Sequence, residues 1–209
     1  MVEVPVPKEK WSGKVGVETL GASSSEGGSR SPLTIGGEAG MPFLSYEGLG
    51  HRQLIAGEVV DTADGLIDLA VKPFGGAIGD PAAWAKKWVE EFHADIVCLK
   101  LQSTNPEGKN ASPEEAAETV KKVLSAVSVP VIVYGCGSEE KDAKTMEAVS
   151  NAAPKERLLL GNAEENAYKS ISAAAMANRH GIVAFSNLDI NLAKQMNILL
   201  TDFGVKLDN

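Results

Sequence analysis

Ala94-Asp95-Ile96-Val97-Cys98-Leu99-Lys100-Leu101, then Ser112-Pro113-Glu114-Glu115, then Val129-Pro130-Val131-Ile132-Val133-Tyr134-Gly135-Cys136-Gly137 is the stretch that decides the fold. The outer two pieces are short, β-branched and apolar without alternation, as expected of strands buried on both faces. The middle piece announces a helix. Ser112 is an N-cap, Pro113 takes the first helical position, where its missing N–H costs nothing, and Glu115 completes a capping box. Ala116, Val120, Val123, Leu124 and Val127 then share one helical face. Strand, helix, strand in this order is a parallel βαβ unit.

The same rhythm recurs on both sides. Leu54–Val60 reads as a strand ending at Asp61-Thr62, followed by a Gly-rich insertion to Gly79. Asp80-Pro81 opens a helix carrying Trp84, Trp88 and Phe92 at i, i+4, i+8, a core-packing pattern. After the central unit, Ser138 leads into a helix with Ala143, Met146 and Val149. Arg157–Gly161 is a fourth strand, with Asn162 as the cap of the next helix and Glu165 in its box position. Ile171, Ala174 and Ala175 face inward there. Gly181–Phe185 is a fifth strand, and Asp189 starts a last helix bearing Leu192, Met196 and Leu199 on one face.

Residues 1–50 differ. Gly, Ser and Pro are dense around Gly21–Gly28, between short strand candidates at Lys14–Leu20 and Leu33–Ile35. This pattern predicts a β-hairpin arm with a long flexible tip, packed on the body or on a partner. No helix-opening Gly-Lys-Ser/Thr follows, so a phosphate loop is disfavoured. Residues 51–209 then form the β/α body. Five β/α units fit either a complete doubly wound sheet or a shortened (β/α)₈ barrel, and periodicity leaves both open.

Composition narrows the chemistry. With 44% hydrophobic and 23% charged residues the chain can bury one large core. A net charge of −8 without a basic cluster argues against a nucleic-acid partner. No apolar run spans a bilayer and Met1–Pro5 is no signal peptide, which points to a cytoplasmic protein with no membrane partner. Two cysteines, Cys98 and Cys136, are too few for an iron–sulfur cluster in this chain. His51, His93 and His180 are scattered, without metal-ligand spacing. Cys98 reads as a buried inert thiol; Cys136 lies just past a strand, where its thiol could approach a ligand, and reads first as a small packing residue.

In either architecture a ligand meets the carboxyl ends of the strands. Those ends hold Glu58 and Asp61, Gln102 to Asn105, Tyr134 to Gly137, Gly161 and Asn162, and Ser186, Asn187 and Asp189. The set is rich in small and amide side chains and offers no evident nucleophile or acid/base pair. Lys100 is expected to be solvated or salt-bridged rather than a Schiff-base lysine, and Glu58 to be a carboxylate held by a neighbouring cation, with a first-strand catalytic acid as its alternative.

Specific strings carry a resemblance. Val4-Pro5-Val6-Pro7-Lys8-Glu9-Lys10-Trp11-Ser12-Gly13-Lys14-Val15, Asp80–Lys87, Ser112–Val123 and Asn187–Thr201 are similar to the small subunit of the corrinoid/iron–sulfur protein of the acetyl-CoA (Wood–Ljungdahl) pathway. Its archaeal counterpart is the delta subunit of the acetyl-CoA decarbonylase/synthase complex. The resemblance implies a TIM (β/α)₈ barrel, here with only about five β/α units, in a family whose members continue past the point matching Asn209. It also implies a heterodimer in which the corrinoid/iron–sulfur protein large subunit carries the cluster and the corrinoid (cobamide). The barrel covers that corrinoid, which is shared at the interface. The methyl group comes from methyltetrahydrofolate through a separate methyltransferase and passes to CO dehydrogenase/acetyl-CoA synthase. On this reading the chain is a non-catalytic subunit with no metal ligands. The expected corrinoid contacts are Ser103, Thr104, Gly135, Cys136, Asn162, Ser186 and Asn187. The alternative is an enzyme, a pterin-binding barrel methyltransferase acting on methyltetrahydrofolate, with Asn162, Asn187 and Asp189 around the pterin.

Overall fold

The computed structural model describes residues 15–37 and 51–206. Much of the string Val4–Val15 therefore lies outside the described residues, as does the start of the strand expected at Lys14. Two short strands, β1 (Val17–Leu20) and β2 (Leu33–Gly36), pair antiparallel as a hairpin. The body follows as β3 (Ala56–Val60), α1 (Asp68–Val71), α2 (Pro81–Glu90), β4 (Ile96–Lys100), α3 (Pro113–Ala126), β5 (Val131–Tyr134), α4 (Glu139–Ala152), β6 (Leu159–Ala163), α5 (Tyr168–Asn178), β7 (Gly181–Ala184) and α6 (Ile190–Phe203).

β3 to β7 form one parallel sheet in strictly sequential order. A doubly wound sheet needs a reversal of strand order, and none occurs among the described strands. Crossovers that all step the same way, with the right-handedness general to parallel strands, put their connecting helices on one face. Accordingly α2 packs on α3, α3 on α4, α4 on α5 and α5 on α6. Register separates the two faces. Val97, Leu99, Val131, Val133 and Leu160 point at the helices and are almost completely buried. Burying each such side chain stabilises the fold by about 1.5–3 kcal/mol. The opposite face carries Glu58, Cys98, Lys100, Ile132, Tyr134, Leu159 and Gly161, and much of it is half-open. These strands were expected to be buried on both faces. Among the described residues helices cover only one.

The helix starts follow local chemistry. Asp80 accepts from the Ala82 and Ala83 N–H groups, and Ser112 and Glu115 form the capping box. Trp84 and Trp88 pack with Phe74, and Phe92 joins them from just beyond the end of α2. Gly57 faces Trp88 so closely that a Cβ would lie 2.5 Å from its ring, while Trp88 Nε1 donates to Glu58 O at 2.8 Å. α2 is thereby locked onto β3.

The hairpin tip is pinned, not free. Gly21 N donates to Arg157 O at 2.9 Å and Ser31 N to Ser128 O at 2.7 Å. Arg30, only 6% exposed, donates to the Val127 and Leu124 carbonyls at the end of α3 and pairs with Glu156 at 2.8 Å. Arg157 pairs in turn with Glu26. All these anchors precede β5 and β6, so the tip sits at the amino ends of the strands. The carboxyl ends are left to other uses.

Candidate functional site at the strand carboxyl ends

After β3 the chain enters a long segment, 61–80, rooted at its start by Asp61. The Asp61 carboxylate accepts from Ser103 N at 2.7 Å and from the Ser103 hydroxyl. Burial raises the Asp61 carboxyl above its ordinary value, against the lowering effect of the Ser103 bonds. Thr104 is fully buried and its hydroxyl donates to Leu101 O at 2.7 Å. Ser103 and Thr104 are thus at the expected strand end, but their hydroxyls are engaged by the chain itself. Farther along 61–80, Ile67 and Leu69 stand 67% and 81% exposed.

After β5 the Gly135-Cys136-Gly137 turn wraps around a carboxylate the sequence did not single out. Asp142, in the first turn of α4, is 2% exposed. Its Oδ1 accepts from Cys136 N at 2.9 Å and its Oδ2 from Gly137 N at 2.8 Å. Cys136 Sγ donates to Oδ1 at 3.2 Å. A Cβ on Gly135 would lie 2.2 Å from Asp142 Cγ, so glycine is required there by close approach. Burial pushes the Cys136 thiol up; the Thr104 hydroxyl pulls it down, and Asp142 adds to the rise. Three acids crowd the first turn of α4, Glu139, Glu140 and Asp142, and only the folded loop distinguishes the one turned inward.

Asn162 departs from expectation. It lies inside β6 rather than at a helix start, and α5 begins after Ala167. The Ala167 and Tyr168 N–H groups both donate to Glu164 O, and Asn166 is held by Glu139, so the turn forms without an Asn or Glu165 cap. Among the described residues the Asn162 side chain makes no hydrogen bond, and it stays half-buried on the rim. After β7, Asp189 caps α6 as expected, accepting from Asn191 and Leu192 N–H, and its own N–H bonds Ser186 O at 2.8 Å. Asn187 and Leu188 are consecutive left-handed residues, with Asn187 exposed and Leu188 fully so.

Backbone bonds bring these ends side by side. Leu101 N donates to Tyr134 O at 2.9 Å, Gly135 N to Gly161 O at 3.0 Å, and Phe185 N to Ala163 O at 3.1 Å. Below the rim, on the uncovered face, Lys100 Nζ pairs with Glu58 at 2.8 Å. Glu58 raises the Lys100 pKa, opposite to what an amine nucleophile needs. Among the described residues no group of three or more His, Cys, Asp or Glu could hold a metal ion. No described helix is long and apolar enough to cross a membrane.

A sequential parallel sheet, helices on one side and a hydrogen-bonding rim at its carboxyl ends define an α/β protein of the kind that takes ligands at its strand ends. More particularly, the chain belongs to the CO dehydrogenase/acetyl-CoA synthase delta subunit family, whose model matches residues 19–208. It is 34% identical over 190 residues to the acetyl-CoA decarbonylase/synthase complex subunit delta of Methanosarcina mazei, which covers 90% of this chain and 44% of the relative. The corresponding subunit of Methanocaldococcus jannaschii is 34% identical over 201 residues, 95% of this chain and 49% of the relative. That of Archaeoglobus fulgidus is 34% identical over 193 residues, covering 91% and 43%. The chain thus spans a little under half the length of these curated relatives.

Proposed function

We propose that this chain is part of a barrel subunit of a corrinoid methyl carrier in the acetyl-CoA pathway, and that its carboxyl-end rim covers the corrinoid. Family membership carries the reading. The sequential strand order with one-sided helices supports it, because five such units make an arc of a (β/α)₈ barrel. The rim residues suit a large, flat, amide-fringed ring. Gly135, Cys136 and Gly137 are small, a Cβ on Gly137 would meet open space, and the Asn162, Ser186 and Asn187 side chains make no hydrogen bond among the described residues. Gly135, Cys136, Asn162, Ser186 and Asn187 would hold the ring, with Ser103 and Thr104 supporting the turn beneath it. When bound, the corrinoid supplies the cobalt that carries the methyl group; this chain orients the ring and shields it from water. The exposed Ile67 and Leu69 add an apolar contact for the corrinoid-bearing large subunit. The methyl donor system, a methyltetrahydrofolate methyltransferase, and CO dehydrogenase/acetyl-CoA synthase complete the set of partners, all in the cytoplasm.

The pterin-binding alternative is weakened by Asp189, whose carboxylate is taken up by the start of α6. The test is to mix the full-length subunit with corrinoid-loaded large subunit and follow the visible spectrum and complex formation. A stable complex with an altered corrinoid spectrum is expected. A chain that stays apart from the large subunit yet binds methyltetrahydrofolate in calorimetry would replace this reading with the pterin one.

A further inference from the structure

The Gly135–Gly137 turn and Asp142 together form a closed clamp. One buried carboxylate takes two backbone N–H groups and a thiol, and Gly135 yields the space that it fills. The Cys136 and Gly137 N–H groups of this turn are both taken by that side chain.

We propose that Asp142 is the positioning residue of the rim: it fixes the Gly135–Gly137 turn and keeps the Cys136 sulfur as a hydrogen-bond-donating thiol, so that this rim sulfur is not a nucleophile. The part of this that concerns a bound ligand rests on the corrinoid reading above; the clamp itself does not. A thiolate is a strong soft nucleophile and metal ligand, whereas the protonated thiol is neither. Beside a carrier of a transferable methyl group, a thiolate would be a competing acceptor. A carboxylate oxygen 3.2 Å from the sulfur accepts a hydrogen bond from the thiol and repels the charge that loss of its proton would create. Burial is the largest effect and acts in the same direction, while the Thr104 hydroxyl and the Ser138 N–H oppose it. Asp142 is the charged group that acts on the sulfur, and Glu164, from the segment between β6 and α5, is a further acid whose charge interacts with Asp142. The balance of burial, hydrogen bonds and charge raises the thiol above its ordinary value.

The experiment follows Cys136 alkylation by iodoacetamide in the full chain carrying Cys98→Ser, from neutral to alkaline pH, with Cys136→Ser as the blank. The wild-type clamp should give a rate midpoint above that of a free cysteine. Asp142→Asn should lower the midpoint and raise the rate near neutrality about threefold to tenfold, since one pKa unit is a tenfold change in thiolate. Superimposable profiles for the two proteins would overturn the proposal. If Asp142→Asn does not fold, two wild-type measurements decide. A midpoint at or below the free-cysteine value, or unprotected Cys136 and Gly137 amides in hydrogen exchange, would overturn it equally. None of these readouts uses a corrinoid or a partner. Loss of the clamp with intact binding to the large subunit removes this inference alone, and an intact clamp without such binding removes the functional reading alone.

Discussion

His180 shows how one residue ties local geometry to solution behaviour. Its Nδ1 accepts the Leu158 N–H at 3.1 Å and its Nε2 faces Ser150 O, all within buried structure. An accepting Nδ1 must be unprotonated, and burial lowers the His180 pKa accordingly. The unfolded chain therefore binds this proton more readily than the folded one. Stability should decline as pH falls through the ordinary histidine range, about 6.5 and below. Urea unfolding at a series of pH values should show that decline, and His180→Gln should flatten it. At this scale the sequence was legible wherever a residue's partner is its own neighbour. Asp80, Ser112 and Asp189 cap helices two or three residues away, so type and spacing suffice. Asn162 has the same cap-forming chemistry, but β6 continues through it, since pairing with neighbouring strands extends the strand past the sequence's apolar run. Asp142 was hidden for the converse reason. Its partners lie on a turn folded back over the helix start.

Among the elements, the five strands fall within about two residues of where their apolar runs place them, as expected when burial sets the pattern. The hairpin was legible as two strands and a polar tip, but the pinning of that tip was not. It depends on Arg30 reaching the end of α3, nearly a hundred residues on. There the guanidinium meets carbonyls that the helix leaves without partners, and it also meets Glu156. Arg30→Ala would leave those carbonyls and the Glu156 charge poorly satisfied. A loss of about 2–3 kcal/mol is expected, which for a domain of this size lowers the melting temperature by roughly 5–10 °C. Calorimetry checks this. Arg30→Lys should recover only part of the loss, because one ammonium cannot reach three acceptors in a plane.

For the whole molecule, periodicity could not choose between barrel and open sheet, because neither strand order nor the face a helix takes is written in a run of apolar residues. Sequential order has now removed the doubly wound choice. What remains is a sheet with helices on one face and, among the described strands, two edges, β3 and β7. Apolar groups near the second edge stand exposed, Leu188, Ile190 and Ile198 among them. Free edges and contiguous apolar surface promote association. Produced alone at this 209-residue length, the chain should self-associate in sedimentation experiments, increasingly with concentration. A stable monomer at tens of micromolar (roughly) would show that these surfaces are too scattered to act.

The clamp at the start of α4 has a consequence of another kind. A glycine-flanked turn running into a helix is where many proteins seat the phosphates of nucleotides, on open N–H donors at the positive end of the helix. Here Asp142 is a resident counter-ion in that seat, attached by the chain's own backbone. In this turn the Cys136 and Gly137 N–H donors are already taken within the chain, so neither is available to an incoming phosphate.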